Sequence, residues 1–467
     1  MAPEHDTAPL PARAGGGRDD TTSLRTIFRL WLPLAVSFEL MMLEGPAVQG
    51  AIGRLADPAL HLAAWGLTMS LSLLIESPVI LLLATAIALV HDADSYRALR
   101  RFTLVLAAGC TALTGLLAFT PLFDAIAGRV LGQPPAIVHQ ARPALQIMLL
   151  WTAAIAWRRF YQGVLVRFGQ TRLVSRGTAI RLGAAVIVAW LLARDGTIPG
   201  AQVAAWAIIT AVVVEALATT WFALPIVRRD VLLPPVRRSP ANPPLTQRAI
   251  WRFHAPLAAT TLLTLLAQPL TAAALARLPN PAATLAAWPV VFLVLLVLRG
   301  GGLALQEIAV AQARQNPTAP PVHLRRFTLF VGAITSGATV LIAFTPLLDW
   351  YLGRAIELPR DLWPLVRVGV GVGVLLPFVT ALGSYVRGQL MAAGATSAVY
   401  RGMAVNLALH VSLLALGVWL RLPGMWVAAS GFTLAAAAEV AYLSRVAARL
   451  DVRAAATRRA TASVVVG

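Results

Sequence analysis

Long apolar runs separated by short polar or proline-containing connections fill the chain from about residue 26 to residue 447. About 20 apolar residues are enough for a helix to cross the hydrocarbon core of a bilayer. Twelve runs reach that length, and they cover roughly 26–52, 60–90, 99–121, 138–167, 173–194, 200–224, 249–276, 284–313, 324–346, 362–392, 397–420 and 424–447. The runs lack the period-two alternation of a membrane β-barrel. The pattern therefore predicts an all-α polytopic membrane protein with about 12 transmembrane helices.

The second half of the chain repeats the first. The stretch LRRFTLVLAAG that begins at Leu99 returns as LRRFTLFVGAI at Leu324, 225 positions later. RLADPALHLAAW from Arg54 returns as RLPNPAATLAAW from Arg277, at an offset of 223. We predict two six-helix bundles, residues 24–224 and 247–449, related by an internal parallel repeat. Many membrane transporters are built from repeated halves with the substrate path between them.

Composition and charge support a membrane location. The chain is 58% hydrophobic and only 13% charged, whereas charged residues make up about 25% of a typical soluble domain. All 39 basic residues are arginine, and most fall in connections and tails on one side of the predicted bundle. By the positive-inside rule this asymmetry predicts that both termini are cytoplasmic. The net charge of +19 is thereby explained by topology and membrane lipids, without nucleic-acid binding. Arginine-only usage is typical of a GC-rich genome, which suggests a bacterial inner (plasma) membrane.

The segments outside the bundles are polar. We predict a disordered cytoplasmic tail at 1–23, a cytoplasmic linker rich in proline and arginine at 225–246, and a cytoplasmic tail at 450–467. The single cysteine, Cys110, excludes a disulfide framework. Without lysine the chain has no Walker A loop, and its histidines do not have the spacing of a zinc hydrolase. These absences predict a protein that is not an enzyme and has neither a cofactor nor a bound metal.

Charged residues inside the predicted helices are the candidate functional residues. Each costs about 2.5–3.5 kcal/mol on insertion scales and usually faces a cavity or a partner. Glu39 and Glu44 lie in the first helix, and a proline follows Glu44 two residues later. Glu76 lies in the second helix, and its repeat equivalent is Arg299, next to three glycines. We predict that these four residues and Glu307 line a substrate or ion pathway. A structural ion pair between Glu76 and Arg299 is the alternative for that pair.

Three further arginines lie within the first bundle. Arg158 and Arg159 are adjacent in the fourth helix, so they point about 100° apart. Arg181 lies in the fifth helix. Because arginine binds carboxylates and phosphates while staying charged, we place all three on the pathway of an anionic substrate. Glu215 and Glu439 are repeat equivalents in the sixth and twelfth helices, and we predict that this symmetric pair has a structural role.

The repeat, the inner linker and the stretch WTAAIAWRRFYQGVLVRFGQTR resemble the MOP superfamily, which includes multidrug and toxin extruders (MATE) and lipid-linked precursor flippases. The stretches FRLWLPLAVSFELMMLEGPAVQGAIGRLAD, LAAWGLTMSLSLLIESP and AIAWRRFYQGVLVR are similar to the progressive ankylosis (Ank) branch. The resemblance implies a MATE-like fold and alternating access. The Ank branch further implies export of anions such as citrate or pyrophosphate, with Glu44 and Arg159 on the pathway.

Three functions follow as hypotheses. The first is a secondary active exporter of small anionic metabolites, suggested by the arginines inside the bundle. The second is a MATE-type cation or drug antiporter coupled to H+ or Na+, for which Glu39 and Glu44 would be the coupling residues. The third is a lipid-linked glycan flippase. All three need a wet cleft between the two bundles.

Overall fold

The computed structural model describes residues 24–233, 245–315 and 322–466, and these ranges are helical and contain no strand. The predicted tail at 1–23 and most of the predicted linker, 234–244, lie outside the described residues. In the first half, the lobe-forming helices are α1 (Leu24–Met42 and Glu44–Gly53), α2 (Pro58–Ile80 and Leu82–Leu89), α3 (Ala93–Phe119), α4 (Pro135–Ile147, the 3-10 turn Met148–Leu150, and Trp151–Arg167), α5 (Thr171–Asp195) and α6 (Gly200–Ile226). Short π-helical turns, Ala125–Val130 and Val227–Leu232, follow α3 and α6.

The second half repeats this order. Its helices are α7 (Gln247–Leu265 and Ala267–Leu275), α8 (Pro281–Leu298, Gly300–Leu303 and Leu305–Gln315), α9 (Val322–Phe344), α10 (Trp363–Val372 and Leu376–Ala392), α11 (Thr396–Trp419) and α12 (Gly424–Val466). A π-helical turn, Tyr351–Ala355, follows α9. We call α1–α6 the first lobe and α7–α12 the second lobe. The backbone of α12 stays helical through most of the stretch predicted as a tail, because that stretch is rich in alanine.

Most of these helices can cross a membrane. Among the described residues nine are long and apolar enough, and a tenth span is formed if the bent pair Arg360–Val372 and Leu376–Ala392 counts as one. The two remaining helices, α1 and α4, are interrupted and carry charged residues within their apolar stretches. The chain is therefore a multi-pass membrane protein.

The helix breaks follow the repeat. The chain breaks at Leu43 in α1 and at Leu266 in α7, three residues before a proline in each case. A proline has no N–H to donate to the preceding turn, so the helix is weakened there. The breaks in α2 at Leu81 and in α8 at Ala304 are also repeat equivalents. The duplication therefore preserved these breaks, whereas the further break at Arg299 in α8 has no counterpart in α2.

The first helix of each lobe crosses to the other lobe near the end of the bundle that holds the linker. We call this end the linker end and the opposite one the distal end. Ile27 of α1 is buried in a core cluster of the second lobe, and its repeat equivalent, Ile250 of α7, is buried in the first lobe. The indole of Trp31 donates to the carbonyl of Gly301 at 2.8 Å. At the equivalent place Nε2 of His254 bonds the carbonyl of Pro78 at 2.6 Å.

The hydrophobic core is continuous at the distal end and divided at the linker end. Val48 and Ile52 of the first lobe share one core cluster with Ile356 and Leu362 of the second. Toward the linker end, residues of the second lobe form a separate cluster that includes Leu443. The two lobes therefore pack together distally and diverge toward the linker.

Candidate functional site

The buried charges of the first lobe form one connected cluster. Nη1 of Arg158 on α4 lies 2.5 Å from Oε2 of Glu215 on α6, and the two side chains are only 4% and 0% exposed. Arg181 on α5 lies between two carboxylates, with Nη2 2.7 Å from Glu44 and Nη1 3.7 Å from Glu215. Gln162, one turn after Arg158, donates to Oε1 of Glu215 at 3.1 Å. Glu215 is therefore the centre of the cluster, and Arg181 connects it to Glu44.

The adjacent arginines of α4 take separate partners, as expected for neighbours about 100° apart on a helix. Arg158 turns to Glu215, whereas Arg159 interacts electrostatically with Glu76 of α2. Oε2 of Glu76 and Nε of Arg159 are buried without a hydrogen bond among the described residues. Among the described residues no ion pair within 4.0 Å joins Glu76 and Arg159, whereas Arg158 and Arg181 each form one.

The charges of the described cluster balance. Its carboxylates are Glu44, Glu76 and Glu215, and its guanidinium groups are Arg158, Arg159 and Arg181. Burial of an unpaired charge lowers the stability of the folded protein, so a stable buried cluster needs equal numbers of positive and negative groups. A consequence is that the arginines already have carboxylate partners, and protonation of any one carboxylate would leave the cluster with a net positive charge.

The second lobe has a smaller version of the same cluster. Glu439 on α12, the repeat equivalent of Glu215, accepts from Nε of Arg387 at 2.8 Å and from Nδ2 of Asn406 at 2.8 Å. Asn406 occupies the position of Arg181, and Arg387 occupies the position of Gln162. The position of Arg158 is taken by a glycine, Gly383, which leaves room for Arg387 one turn later.

Other predicted site residues lie apart from the first-lobe cluster. The alternative of an ion pair between Glu76 and Arg299 is wrong for the described structure. Each residue turns to its own lobe, and the guanidinium of Arg299 lies over the ring of Phe292 at 5.7 Å. Glu39 lies against Gly300 and accepts a hydrogen bond from the backbone of Gly301, so it belongs to the crossing of α1 onto α8. Glu307 is exposed on the linker-end part of α8.

A cavity of about 360 Å³ lies between the lobes, between the distal core and the linker end. Both lobes line it, and the lining includes the repeat-equivalent tryptophans Trp65 and Trp288 together with Phe292 and Leu293. Among the described residues that line it, the only charged side chain is Glu44. The cavity is thus an apolar chamber with one carboxylate, and that carboxylate also belongs to the first-lobe cluster.

Unpaired hydrogen-bond acceptors line this cavity. Gln49 donates its amide to the carbonyl of Pro289 at 3.0 Å, and Gln133 donates to the carbonyl of Ala272 at 3.0 Å. Each amide bridges the lobes, which leaves its oxygen free. Oε1 of Gln49, Oε1 of Gln133 and Oε1 of Glu44 are all buried without a partner in the described structure. Trp288 also lines the cavity, and its Nε1 is a buried donor without a partner in the described structure. Since buried polar groups usually have a partner, the residues around the chamber have unused hydrogen-bonding capacity, and most of it is on acceptors.

Comparison with solved structures identifies the fold. No protein-family model and no curated protein matches the sequence. The chain is similar to an inward-facing multidrug resistance MATE transporter of the MOP superfamily, with a TM-score of 0.68, 14% identity, and coverage of 91% of this chain and 98% of the other. An outward-facing MATE transporter gives a TM-score of 0.59 at 16% identity, covering 92% and 96%. The lipid II flippase MurJ in an inward closed conformation gives 0.66 at 10% identity, covering 88% and 86%.

The chain has the MATE fold. The predicted fold class is thereby confirmed, and the resemblance to transporters of the MOP superfamily holds for the fold, while the Ank branch stays a prediction. The sequence analysis missed Gln49, Gln133 and Arg387. The repeat contained a signal for Arg387, because an arginine stands there opposite the intramembrane residue Gln162. The two glutamines had no such signal, since their role depends on carbonyls of the opposite lobe.

Proposed function

We propose that the chain is a secondary active transporter that works by alternating access and carries apolar molecules with a cationic, hydrogen-bond-donating group. The observation that carries this proposal is the chamber between the lobes. Its walls are aromatic and aliphatic, its one charged lining residue is Glu44, and its unpaired polar atoms are mainly acceptors. Aromatic faces attract organic cations, and a carboxylate strengthens that attraction in an apolar setting.

The link between Glu44 and the buried cluster provides a means of coupling. Oε2 of Glu44 pairs with Arg181, while Oε1 has no partner among the described residues and is available to a substrate or a proton. A proton on Glu44 would remove the charge that holds a cationic substrate. Arg181 would then keep Glu215, which already lies 3.7 Å away. In this scheme a proton and the substrate compete for Glu44, which is the basis of an antiporter.

An anionic substrate is the second candidate. In its favour, Arg299 borders the interior through Phe292, a cavity-lining residue, and its Nε is buried without a hydrogen bond in the described structure. Against it, Arg158, Arg159 and Arg181 lie in the cluster with carboxylates, and none of the three lines the chamber, whereas Glu44 does. We therefore rank the cation antiporter above the anion exporter, which reverses the order suggested by the sequence alone.

Transport by purified protein in liposomes tests the proposal. With an imposed pH gradient, wild-type protein should accumulate a lipophilic fluorescent cation such as ethidium, and labelled citrate should not move above the level of empty vesicles. Glu44→Gln removes the charge but keeps the shape, and we expect it to abolish gradient-driven uptake, a loss of tenfold or more.

Asp361→Asn is the matched control, because it also replaces a carboxylate by its amide, but at an exposed position. It should transport like the wild type. Uptake of citrate with no movement of the cation would overturn the proposal in favour of the anion exporter. Full gradient-driven cation uptake by Glu44→Gln would remove Glu44 from the coupling scheme.

A further inference from the structure

Two arginines cross between the lobes at the distal end, and they are repeat equivalents. Arg54 follows α1, and Arg277 follows α7, 223 positions later. Each first donates to a carbonyl of its own helix one turn back, Arg54 to Gly50 at 2.7 Å and Arg277 to Ala273 at 2.6 Å. This bond fixes the guanidinium with its remaining N–H groups directed toward the other lobe.

Arg277 binds the end of the first lobe's π-helical turn. Its Nη1 donates to the carbonyl of Leu131 at 3.0 Å, and its Nη2 donates to the carbonyl of Val130 at 2.6 Å. The last carbonyls of a helix lack partners within the helix, so they are ready acceptors for a guanidinium. The guanidinium also lies 3.2 Å from where a Cβ on Gly132 would be, so this glycine leaves the space the arginine uses.

Arg54 makes similar contacts on the second lobe, shifted by one residue toward the start of the repeat-equivalent turn. Its Nη2 and Nη1 lie 3.3 Å and 3.5 Å from the carbonyls of Arg354 and Ala355, at the end of the second lobe's π-helical turn. Its Nε lies 3.1 Å from the carboxylate of Glu357. The contacts to carbonyls are longer than those of Arg277, and the ion pair is present on this side only among the described residues.

The two sides differ at one repeat-equivalent position. Gly132 and Glu357 both have a left-handed backbone, with φ of +68° and +55°. Glycine adopts this conformation freely, whereas for glutamate it is strained. The exposed ion pair of Glu357 with Arg54 is too weak to offset that strain by itself. The strain therefore persists because the surrounding contact holds the turn in place, and strain of this kind is typical of switch regions.

The backbones of the two lobes also meet beside Arg54. A Cβ on Gly53 would lie 1.6 Å from the carbonyl oxygen of Ile356, and a Cβ on Gly50 would lie 2.5 Å from that of Ala355. Any side chain at Gly53 would push the second lobe away. The distal end is thus closed by direct backbone contact, and the two arginines fasten it.

We propose that Arg54 and Arg277 are a pair of crossed latches whose bonds to the opposite π-helical turns close the distal gate of the transporter. The proposal rests on the alternating-access function and concerns its conformational change, independently of the substrate. The latches use few hydrogen bonds, and Arg54 and Glu357 are nearly half exposed, so water can replace the contacts when the gate opens. The continuous distal core and the divided linker end fit a state in which the latches are closed.

Distance measurement between spin labels tests the latches. In a Cys110→Ala background, labels on Thr197→Cys and Leu422→Cys would report the separation of the distal loops of the two lobes in liposomes, without substrate or gradient. The double variant Arg54→Ala with Arg277→Ala should show a several-fold larger population at the longer distance. Gly53→Ala should do the same by a separate route, because its methyl group cannot fit against the carbonyl of Ile356.

Two control variants separate the latch from general effects. Arg194→Ala removes an exposed arginine of α5 that packs on Trp190 of its own helix, and Gly109→Ala adds a methyl group with nothing within 4 Å. Both should keep the wild-type distance distribution. A wild-type distribution in the double arginine variant would overturn the proposal, whatever Gly53→Ala shows. If the double variant does not fold, Arg54→Ala and Arg277→Ala are measured singly, and a wild-type distribution in both would overturn it. If the wild type transported nothing but the double arginine variant still showed the longer distance, the proposed function would be contradicted and the latch proposal would be supported.

Discussion

The clusters around Glu215 and Glu439 show what the duplication retained and what it allowed to change. In both lobes a glutamate on the last helix is bound by an arginine of the fourth helix of that lobe and by a polar residue of the fifth. A glycine on the fifth helix, Gly177 or Gly402, lies against the glutamate side chain in each lobe. Three helices of each lobe are thereby joined at one carboxylate.

In the part of the chain that the structure describes, only the first lobe has additional charges around this centre. Arg181 replaces the neutral Asn406, and it brings in Glu44 and hence the cavity. Asn406 instead ends the second cluster at Glu439. Both lobes thus have a glutamate that joins three helices. In the first lobe this glutamate, Glu215, is also connected through Arg181 to Glu44 and the chamber. The difference suggests that coupling is a property of the first lobe, whereas the second lobe keeps the structural part.

The largest expected difference between the lobes comes from removal of the two glutamates. Glu215→Ala leaves Arg158 buried and without its main partner, which should cost about 3–5 kcal/mol. Glu439→Ala leaves Arg387, whose side chain is 23% exposed and can turn to water, so the loss should be about 1–3 kcal/mol. Thermal unfolding in detergent should show a clearly larger fall in Tm for Glu215→Ala. Equal shifts in Tm would mean that the additional charges of the first lobe do not increase the loss of stability when Glu215 is removed.

The comparison of the two clusters can also be tested by giving the cluster around Glu215 the arrangement of the cluster around Glu439. Arg158→Ala should destabilise the protein, because Glu215 loses its 2.5 Å partner. Adding Gln162→Arg puts the guanidinium one turn later, where Arg387 stands in the second lobe, and most of the loss in Tm should be recovered. A coupling free energy of about 1–3 kcal/mol between the two substitutions is expected for residues that share a partner.

The matched control uses the same two substitutions separately. Gln162→Arg alone adds a fourth guanidinium to a balanced cluster, so it should destabilise the protein. Additive effects of the two substitutions would show that α4 of the first lobe cannot present an arginine as α10 of the second lobe does.

The sequence alone predicted the architecture well, because repeat and hydropathy are properties of the whole chain. It also identified the equivalence of Glu215 and Glu439, since both occupy the same place in the duplication. It could not predict which charges meet. Glu76 and Arg299 are repeat equivalents, but equivalent positions lie at the same place in separate lobes, and each finds partners there. A repeat therefore predicts similar surroundings for two residues and gives no reason for them to touch.

The cavity residues Gln49 and Gln133 could not be predicted from the sequence for a related reason. The amides of Gln49 and Gln133 are held by carbonyls more than 100 positions away in the other lobe, and no local pattern indicates such contacts. The cavity residues also changed the order of the functional hypotheses, from the anion exporter first to the cation antiporter first. Arginines counted along the sequence suggested an anionic pathway, whereas in the structure carboxylates neutralise those arginines and a glutamate faces the chamber.

The smallest expected difference between the lobes concerns two glycines that pack helices together. A Cβ on Gly163 would lie 2.6 Å from the carbonyl of Leu83, and a Cβ on Gly388 would lie 2.7 Å from the carbonyl of Gln306, its repeat equivalent. Gly163→Ala and Gly388→Ala should each cost about 1–3 kcal/mol by overpacking, and their Tm shifts should be the same within error. Gly109→Ala, where the space is open, should be neutral or slightly stabilising because alanine favours a helix. Unequal shifts for Gly163 and Gly388 would mean that the lobes have diverged in backbone packing as well as in charge, and the asymmetry would then extend beyond the network around Glu44.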